Sequence, residues 1–171
     1  DTPVQNLDKL FRGRHQGVVA TVFEAGFVTA DEFWENAKSA HLQLVLALDQ
    51  LQDSGNVGTL ARTLVAIGGA GLIIPRHNTA SLGDRAIKAS AGALNKTQVM
   101  KTVNLGRELQ RAKKEGFWVY CADSKEPHEN VYTTRLSLPA VLVLGNEEKG
   151  VRKGVKDKCD VSLVAPMVGD M

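Results

Sequence analysis

An asparagine and an arginine near the middle of the chain are of types that can act on a hydroxyl group or hold a phosphate. Asn56 lies between two glycines in DSGNVG (53–58), and Arg62 follows it in an apolar stretch. A fixed guanidinium can bind a phosphate or lower the pKa of a neighbouring hydroxyl. One interpretation is that Asn56 and Arg62 line one wall of a cleft. The alternative is that Asn56 only caps a helix and that Arg62, which points away from the apolar stripe of that helix, lies in solvent.

A second glycine-bounded segment, GNEEKG (145–150), follows an apolar run nearer the end of the sequence. Glu147 and Glu148 could be acids of a first helical turn, where the helix dipole favours negative charge. Gly145 would also allow a flat ligand to approach the backbone closely. These two loops and PMVGD (166–170) are candidates for one ligand site, because ligands of open parallel sheets bind at the carboxyl ends of the strands.

The elements that would position these loops follow from the apolar runs. Six short runs predict strands at 42–49, 71–75, 97–103, 118–123, 140–145 and 161–166. Several are continuously apolar, as expected of strands buried on both faces. Helical patterns lie at 57–68, 105–116 and 150–159, and another at 29–40 is capped by Thr29 or Asp31. This alternation predicts an α/β fold, with a mostly parallel sheet of about six strands flanked by helices.

Composition excludes several classes of protein. The 171 residues suit one domain, and the net charge of +2 permits a nucleic-acid partner without requiring one. The apolar runs are far shorter than the ~20 residues of a membrane helix, so no membrane association is expected. Cys121 and Cys159 lack zinc-site spacing and are expected to be reduced thiols of a cytoplasmic protein. The sequence has no Rossmann, P-loop or GxSxG motif.

Three motifs occur along the chain in a defined order. LDQLQDSGNVGTLART (48–63) matches LDxxxDxxNxGxxxRT, LVLGNEEKG (142–150) matches a hydrophobic strand followed by GxExxG, and Pro166, Met167 and Gly169 match PMxG. In this order they resemble the SpoU/TrmH branch of the SPOUT RNA methyltransferases, and most of all the 23S rRNA guanosine 2′-O-methyltransferases. HQGVVA (15–20) and KASAGAL (88–94) are similar to further landmarks of that family. The resemblance covers essentially residues 12–171.

The resemblance implies an enzyme that uses S-adenosyl-L-methionine to methylate a ribose 2′-hydroxyl of ribosomal RNA, with tRNA as the alternative substrate. It further implies a SPOUT fold with a trefoil knot, a homodimer and no metal. Asn56 and Arg62 would form a catalytic pair, and Glu147 would hold the guanidinium or the pocket loop. The residues implied to bind the cofactor are Ala122, Leu144, Gly145, Val164, Ala165, Pro166 and Met167. The cations expected to bind RNA are Arg12, Arg14 and Lys88, with Arg76 and Lys96 as further candidates.

The sequence also departs from the family pattern. Ser54 and Gly55 follow Asp53, where the family usually has a proline. No Ser-Leu-Asn stretch or final helix follows the third motif, so we expect the methyltransferase domain, residues 41–171, to be truncated and to lack the C-terminal knot helix. Residues 1–40 are expected to hold a polar lead-in and a short strand, and to link to an RNA-binding domain that this sequence lacks. A non-catalytic RNA- or cofactor-binding relative is therefore a further alternative.

Overall fold

A single parallel sheet organises the chain. A computed structural model describes residues 4–10, 15–19, 26–124 and 128–166. The strands are β1 (Leu42–Asp49), β2 (Gly69–Pro75), β3 (Val99–Thr102), β4 (Trp118–Ala122), β5 (Glu129–Asn130), β6 (Ala140–Gly145) and β7 (Val161–Val164). They pair in the order β3-β2-β1-β6-β4-β7-β5, and every pair is parallel. The predicted α/β class and parallel sheet are confirmed.

The prediction of about six strands was one short, because the sheet has seven strands within the described residues. The strand that the sequence did not predict is β5, which contains only two residues and forms an edge of the sheet. Its residues, Glu129 and Asn130, are polar, since an edge strand of this length buries little surface. This strand therefore lacks the apolar pattern from which the other strands were predicted.

Helices precede β1 and lie between later strands along the chain. They are α1 (Val4–Leu10), α2 (Ala30–Ser39), α3 (Ser54–Ala66), α4 (Asp84–Ala89), α5 (Leu105–Lys114) and α6 (Lys153–Lys156), with a short 3-10 helix at Ala93–Asn95. Of the two caps considered for α2, the structure uses Thr29, whose hydroxyl accepts a 3.3 Å hydrogen bond from the backbone N–H of Glu32. The helix expected at 150–159 is only the four residues of α6. Of the region expected to contain a short strand near the N-terminus, residues 15–19 contain none, and 20–25 lie outside the described residues.

The two faces of the sheet carry different helices, which explains why the central strands are apolar without interruption. Val45 and Ala47 of β1 pack in one core with α2, α5 and α6. Leu46 and Leu48, which point to the opposite face, pack with α3 and α4. Trp34 of α2 is fully buried in the first core, and burial of so large a side chain contributes roughly 2–3 kcal/mol. Among the helices that the structure describes, none has the length and apolar character needed to cross a membrane.

A glycine allows α3 and α4 to approach each other closely. A Cβ atom added at Gly58 would lie 2.8 Å from the Cβ of Ala89 and 2.9 Å from the backbone nitrogen of Ser90, and nearer still to the carbonyl oxygen of Ala86. Any side chain at position 58 would therefore push the two helices apart. This contact brings the KASAGAL segment against the helix that begins after β1.

Candidate active site

The helix that contains Asn56 is capped by a different residue. Asp53 is the N-cap of α3, and its Oδ1 accepts hydrogen bonds from the backbone N–H groups of Gly55 and Asn56, the latter at 3.1 Å. Its Oδ2 accepts a 2.7 Å hydrogen bond from Nη2 of Arg85 on α4. The interpretation of Asn56 as the cap was therefore wrong: the helix begins at Ser54, so Asn56 is its third residue and its side chain is available for other contacts.

The side chain of Asn56 contacts Glu147. Its Nδ2 donates a 3.0 Å hydrogen bond to Oε1 of Glu147. The Glu147 carboxylate also accepts longer bonds, each 3.4 Å, from the backbone N–H groups of Gln52 and Asp53 and from Nδ2 of Asn146. These contacts join the loop after β6 to the loop after β1. Of the two roles that the resemblance implied for Glu147, the observed contacts correspond to holding a loop.

Hydrogen bonding lowers the pKa of both acids at this junction. Partial burial works to raise the pKa of Glu147, but hydrogen bonds from its own backbone, from Asn56 and from the 52–53 backbone outweigh burial and lower that pKa. The pKa of Asp53 is also lowered, first by the hydrogen bond from the Asn56 backbone and further by Gly55 and the Arg85 guanidinium. Both side chains are therefore carboxylates near neutral pH, and neither is suited to donate a proton there.

Arg62 does not share a wall with Asn56 in this chain. Arg62 lies six positions after Asn56 on α3, which corresponds to a rotation of roughly 240° and a rise of about 9 Å. Arg62 is exposed, and its guanidinium makes no hydrogen bond or ion pair with any residue that the structure describes. The structure thus brings Asn56 and Glu147 together and leaves Arg62 apart. A catalytic role for Arg62 stays a prediction.

The segment after β6 is a tight loop instead of a helical turn. The backbones of Asn146 and Gly150 exchange two hydrogen bonds of 3.0 and 2.9 Å, and Oδ1 of Asn146 accepts from the N–H groups of Glu148 and Lys149. The interpretation of Glu147 and Glu148 as first-turn acids was therefore wrong, because α6 begins only at Lys153. The space that a Cβ of Gly145 would fill is taken by the backbone of Gly150 and Val151, so the loop itself requires this glycine.

An ion pair between a buried aspartate and a half-exposed arginine anchors the far end of this loop. Asp49, the last residue of β1, is fully buried and accepts hydrogen bonds from the backbone N, Nε and Nη2 of Arg152 at 2.8, 2.9 and 2.6 Å. A buried carboxylate requires such partners, since removal from water is costly. Sequence reasoning missed Arg152. The available signal was Asp49 itself, an acid at the end of an otherwise apolar strand.

These loops enclose a polar cleft of about 770 Å³. It is lined by Gln50, Gln52, Asp53, Ser54, Asn56, Asn78, Arg85, Asn146, Glu147, Glu148 and Lys149. A smaller groove of about 260 Å³, which shares Asn56 and Glu147 with the cleft, is lined also by Leu51, Thr59, Leu60 and Leu144. Most of these amide side chains were not identified as site residues from the sequence. Their signal is the presence of polar residues shortly after β1, β2 and β6, at the carboxyl ends of the strands, where ligands bind.

The residues expected to bind the cofactor lie at the ends of adjacent strands. Ala122 ends β4, Leu144 and Gly145 end β6, and Val164 ends β7, with Ala165 and Pro166 directly after it. Because β6, β4 and β7 are neighbours, these positions share one edge of the sheet. Ala122, Ala165 and Pro166 are exposed there, so small apolar groups are available to a flat ligand. Met167 lies outside the described residues.

The cations expected to bind RNA are described in part. Lys88 is exposed on α4, the helix that also carries Arg85, and Arg76 and Lys96 are exposed nearby in the sequence. Arg12 and Arg14 lie outside the described residues. In the ranges that the structure describes, no group of three or more His, Cys, Asp or Glu side chains could hold a metal ion. Cys121 and Cys159 are free thiols, as the sequence predicted.

Comparison with known proteins gives consistent results. The family model described as SpoU rRNA Methylase family matches residues 43–171. YacO of Bacillus subtilis, named as a TrmH family tRNA/rRNA methyltransferase, is 36% identical over 168 residues, which is 98% of this chain and 67% of that protein.

Solved structures agree in fold. An RNA methyltransferase of the TrmH family from Porphyromonas gingivalis superposes with a TM-score of 0.67 and 32% identity, over 74% of this chain and 51% of that one. An AdoMet-bound rRNA methyltransferase from Sinorhizobium meliloti gives a TM-score of 0.66 and 26% identity, over 78% and 52% of the two chains. The present chain thus spans about half the length of each of these two structures.

Proposed function

Because this chain belongs to the SpoU rRNA Methylase family, we propose that it transfers the methyl group of S-adenosyl-L-methionine to a ribose 2′-hydroxyl of ribosomal RNA. The observation that carries the proposal is the 3.0 Å hydrogen bond between Asn56 and Glu147. It joins two family motifs at the carboxyl ends of β1 and β6, which is where an open α/β sheet binds its ligands.

The cofactor would be held by the strand ends that include the exposed Ala122 and the half-buried Leu144 and Val164, with Gly145 fixing the course of the neighbouring loop. When bound, S-adenosyl-L-methionine supplies an electrophilic methyl group on a sulfonium. Ala165 and Pro166 follow β7 and extend this surface, and Met167 is proposed to complete it. The task of these residues is to align the methyl group with the attacking oxygen, since alignment alone lowers the barrier of a group transfer substantially.

Arg62 is proposed to act on the ribose. A 2′-hydroxyl is a poor nucleophile at neutral pH, and an adjacent guanidinium stabilises the alkoxide that develops as the hydroxyl attacks. The exposed Arg62 side chain has no partner among the described residues and can therefore approach RNA. Asn56 and Glu147, which Arg62 does not contact, hold the loops after β1 and β6 together. Since Arg62 does not line the cleft or the groove at the ends of β1 and β6 within one chain, we propose a homodimer in which Arg62 of one protomer completes the site of its partner.

Lys88, Arg12 and Arg14 are proposed to bind RNA phosphates. Such contacts position the nucleic acid but carry no sequence information. We propose ribosomal RNA as the first candidate substrate, because the family description names it. tRNA is the second candidate, because the name of the YacO relative includes both kinds of RNA.

A methyl-transfer assay tests the proposal. The chain would be incubated with labelled S-adenosyl-L-methionine and unmodified ribosomal RNA or tRNA, and the RNA digested to nucleosides. We expect label in a 2′-O-methylated nucleoside from ribosomal RNA. Label on a base would contradict the role of Arg62, and no label in either RNA with cofactor bound would indicate a non-catalytic relative.

Substitution of Arg62 separates catalysis from binding. Arg62→Ala should lower kcat by about 100-fold or more, the usual cost of removing one group that stabilises developing charge. Cofactor affinity measured by calorimetry should remain unchanged. Arg107→Ala, which removes an exposed arginine of α5, is the matched control and should retain activity. Equal activity of the two variants would remove Arg62 from the mechanism.

A further inference from the structure

We propose that the polar cleft after β1 and β6 binds a nucleobase of the substrate RNA through a base edge that carries N–H donors. The inference rests on the proposed function in one respect: the base is taken to belong to the RNA that the enzyme methylates. The cleft has a volume of about 770 Å³, within the range of small-molecule sites. Five of its lining side chains are carboxamides: Gln50, Gln52, Asn56, Asn78 and Asn146. We refer to it as the amide cleft.

Internal hydrogen bonds orient two of these amides so that their oxygens are available. Nε2 of Gln52 donates to the carbonyl oxygens of Gln50 at 3.2 Å and Asn78 at 2.9 Å. Nδ2 of Asn56 donates to Glu147 at 3.0 Å. Both NH2 groups are thereby engaged, whereas Oε1 of Gln52 and Oδ1 of Asn56 accept no hydrogen bond from any residue that the structure describes. The amide cleft therefore presents fixed acceptors to a ligand.

The backbone beneath these amides is held in an unusual conformation. Gln50 and Asn78 both have positive φ angles, 62° and 54°, a left-handed region that few non-glycine residues occupy. The carbonyl oxygens of both residues accept the hydrogen bonds from Gln52, so one side chain fixes both turns. Such conformations cost free energy and concentrate at ligand sites. The amide cleft is thus built with a defined geometry at some cost in stability.

The charges that line the cleft favour a base over a phosphate. Asp53, Glu147 and Glu148 are acidic and Arg85 and Lys149 are basic, so the lining carries a net charge of −1. A phosphate would be repelled by this excess of negative charge, whereas a neutral base with N–H donors is attracted. The exposed cations Arg62 and Lys88 do not line the cleft and can hold the RNA backbone outside it.

Nucleobases provide the complementary groups. The amino groups of cytosine and guanine, and the ring N–H groups of uracil and guanine, are donors on the Watson–Crick edge, and proteins read the edges of unstacked RNA bases in this way. Gln52 and Asn56 are accordingly assigned as residues that recognise the base. Because they would contact the base, Gln52 and Asn56 would determine substrate choice.

The test is a nucleoside titration of the 15N-labelled chain, followed by NMR. Cytidine, uridine and guanosine are each compared with an analogue that lacks the donor: N4,N4-dimethylcytidine, 3-methyluridine and 1-methyl-N2,N2-dimethylguanosine. Adenosine is omitted because it resembles part of the cofactor. At least one unmodified nucleoside should shift the side-chain amide signals of Gln52, Asn56 and Asn78, and its methylated analogue should bind at least fivefold more weakly. Ribose alone should shift none of them.

Substitutions in the amide cleft test whether the nucleoside binds there. Gln52→Ala should weaken binding of the responsive nucleoside at least fivefold and abolish the difference from its analogue. Gln52→Ala could disturb the two turns that Gln52 holds, so a second variant is needed. Asn78→Gly removes another amide of the cleft, and glycine tolerates the positive φ at this position. Its nucleoside binding should also be weakened. Gln110→Ala, at an exposed glutamine of α5, is the matched control and should bind as the unmodified chain does.

Three results would overturn the inference: no shift with any nucleoside, equal binding of each nucleoside and its analogue, or normal binding by both Gln52→Ala and Asn78→Gly. The titration involves no methyl transfer, so it is independent of the proposed function. Transfer to RNA without nucleoside binding would reject the amide cleft and retain the enzyme. Nucleoside binding without transfer to any RNA would reject the enzyme and retain the cleft.

Discussion

The side-chain amide of Asn56 donates a 3.0 Å hydrogen bond to the carboxylate of Glu147, although 91 positions separate the two residues in the sequence. The contact exists because β1 and β6 are adjacent and in register, with Asp49 beside Gly145. The loops that leave these two strands therefore begin side by side. The hydrogen bond between Asn56 and Glu147 therefore forms only when both loops adopt the positions seen in the structure.

A double-mutant cycle should measure this coupling. We expect Asn56→Ala, Glu147→Ala and the double variant to give an interaction free energy of about 0.5–1.5 kcal/mol in urea unfolding, the usual range for one hydrogen bond. Asn56→Asp should lower stability further than Asn56→Ala, because it places a second carboxylate against Glu147. An interaction free energy of zero would mean that the two loops are held independently of this contact.

The pKa of Glu147 predicts a dependence of stability on pH. Its folded-state pKa lies below the usual value of 4.5. The contribution of its hydrogen bonds to the free energy of unfolding is therefore complete above pH 4.5 and lost as the pH falls through the lower, folded-state pKa. The free energy of unfolding would be measured from unfolding curves recorded from pH 6 to pH 2. Glu147→Gln should remove the part of its decrease toward low pH that comes from Glu147. Glu148→Gln, at the exposed neighbour, is the control, and an equal change of slope in both variants would contradict the assignment.

The ion pair of the buried Asp49 and the half-exposed Arg152 should respond asymmetrically to substitution. Arg152→Met leaves a fully buried carboxylate without its guanidinium, and we expect a loss of about 2–3 kcal/mol, reduced from the cost of a fully buried pair because Arg152 is half exposed. Asp49→Ala should cost less, since the released guanidinium can be hydrated. Chemical denaturation of both variants measures the difference, with Arg107→Met as a surface control expected to change stability by less than about 0.5 kcal/mol. The reverse order would show that packing around Asp49 outweighs its charge.

Two glycine substitutions should have opposite effects. Gly58→Ala forces a methyl group against α4 and should destabilise the chain by about 1–3 kcal/mol, as overpacking does. Gly154→Ala, in α6 with no atom within 4 Å of the new methyl group, should be neutral or stabilise by up to about 1 kcal/mol. Thermal unfolding monitored by circular dichroism compares the two. Equal effects would show that α3 and α4 can separate without cost.

The class of fold could be predicted from the sequence because the central strands are buried on both faces and read as uninterrupted apolar runs. Helix α4 was missed because its six residues are too few to show a helical period. The cap of α3 was misplaced for a local reason: Asp53 and Asn56 are both good caps, and only the start of the helix at Ser54 distinguishes them. Motif resemblance identified Asn56 and Glu147 individually. Their contact, and the partner of Asp49, depend on strand order, which local sequence does not encode.

The position of β6 between β1 and β4 also determines when this chain can fold during synthesis. Among the described strands, β4 pairs only with β6 and β7, and both are made after it. Strands β1 to β3 can assemble from residues 42–102, but the sheet cannot extend past β1 until residues 140–145 have left the ribosome. At about 5–20 residues per second, the edge of β1 stays unpaired for several seconds. An apolar strand with an open edge is prone to pair with other chains, so the nascent protein is most vulnerable to aggregation in the interval before β6 pairs with β1.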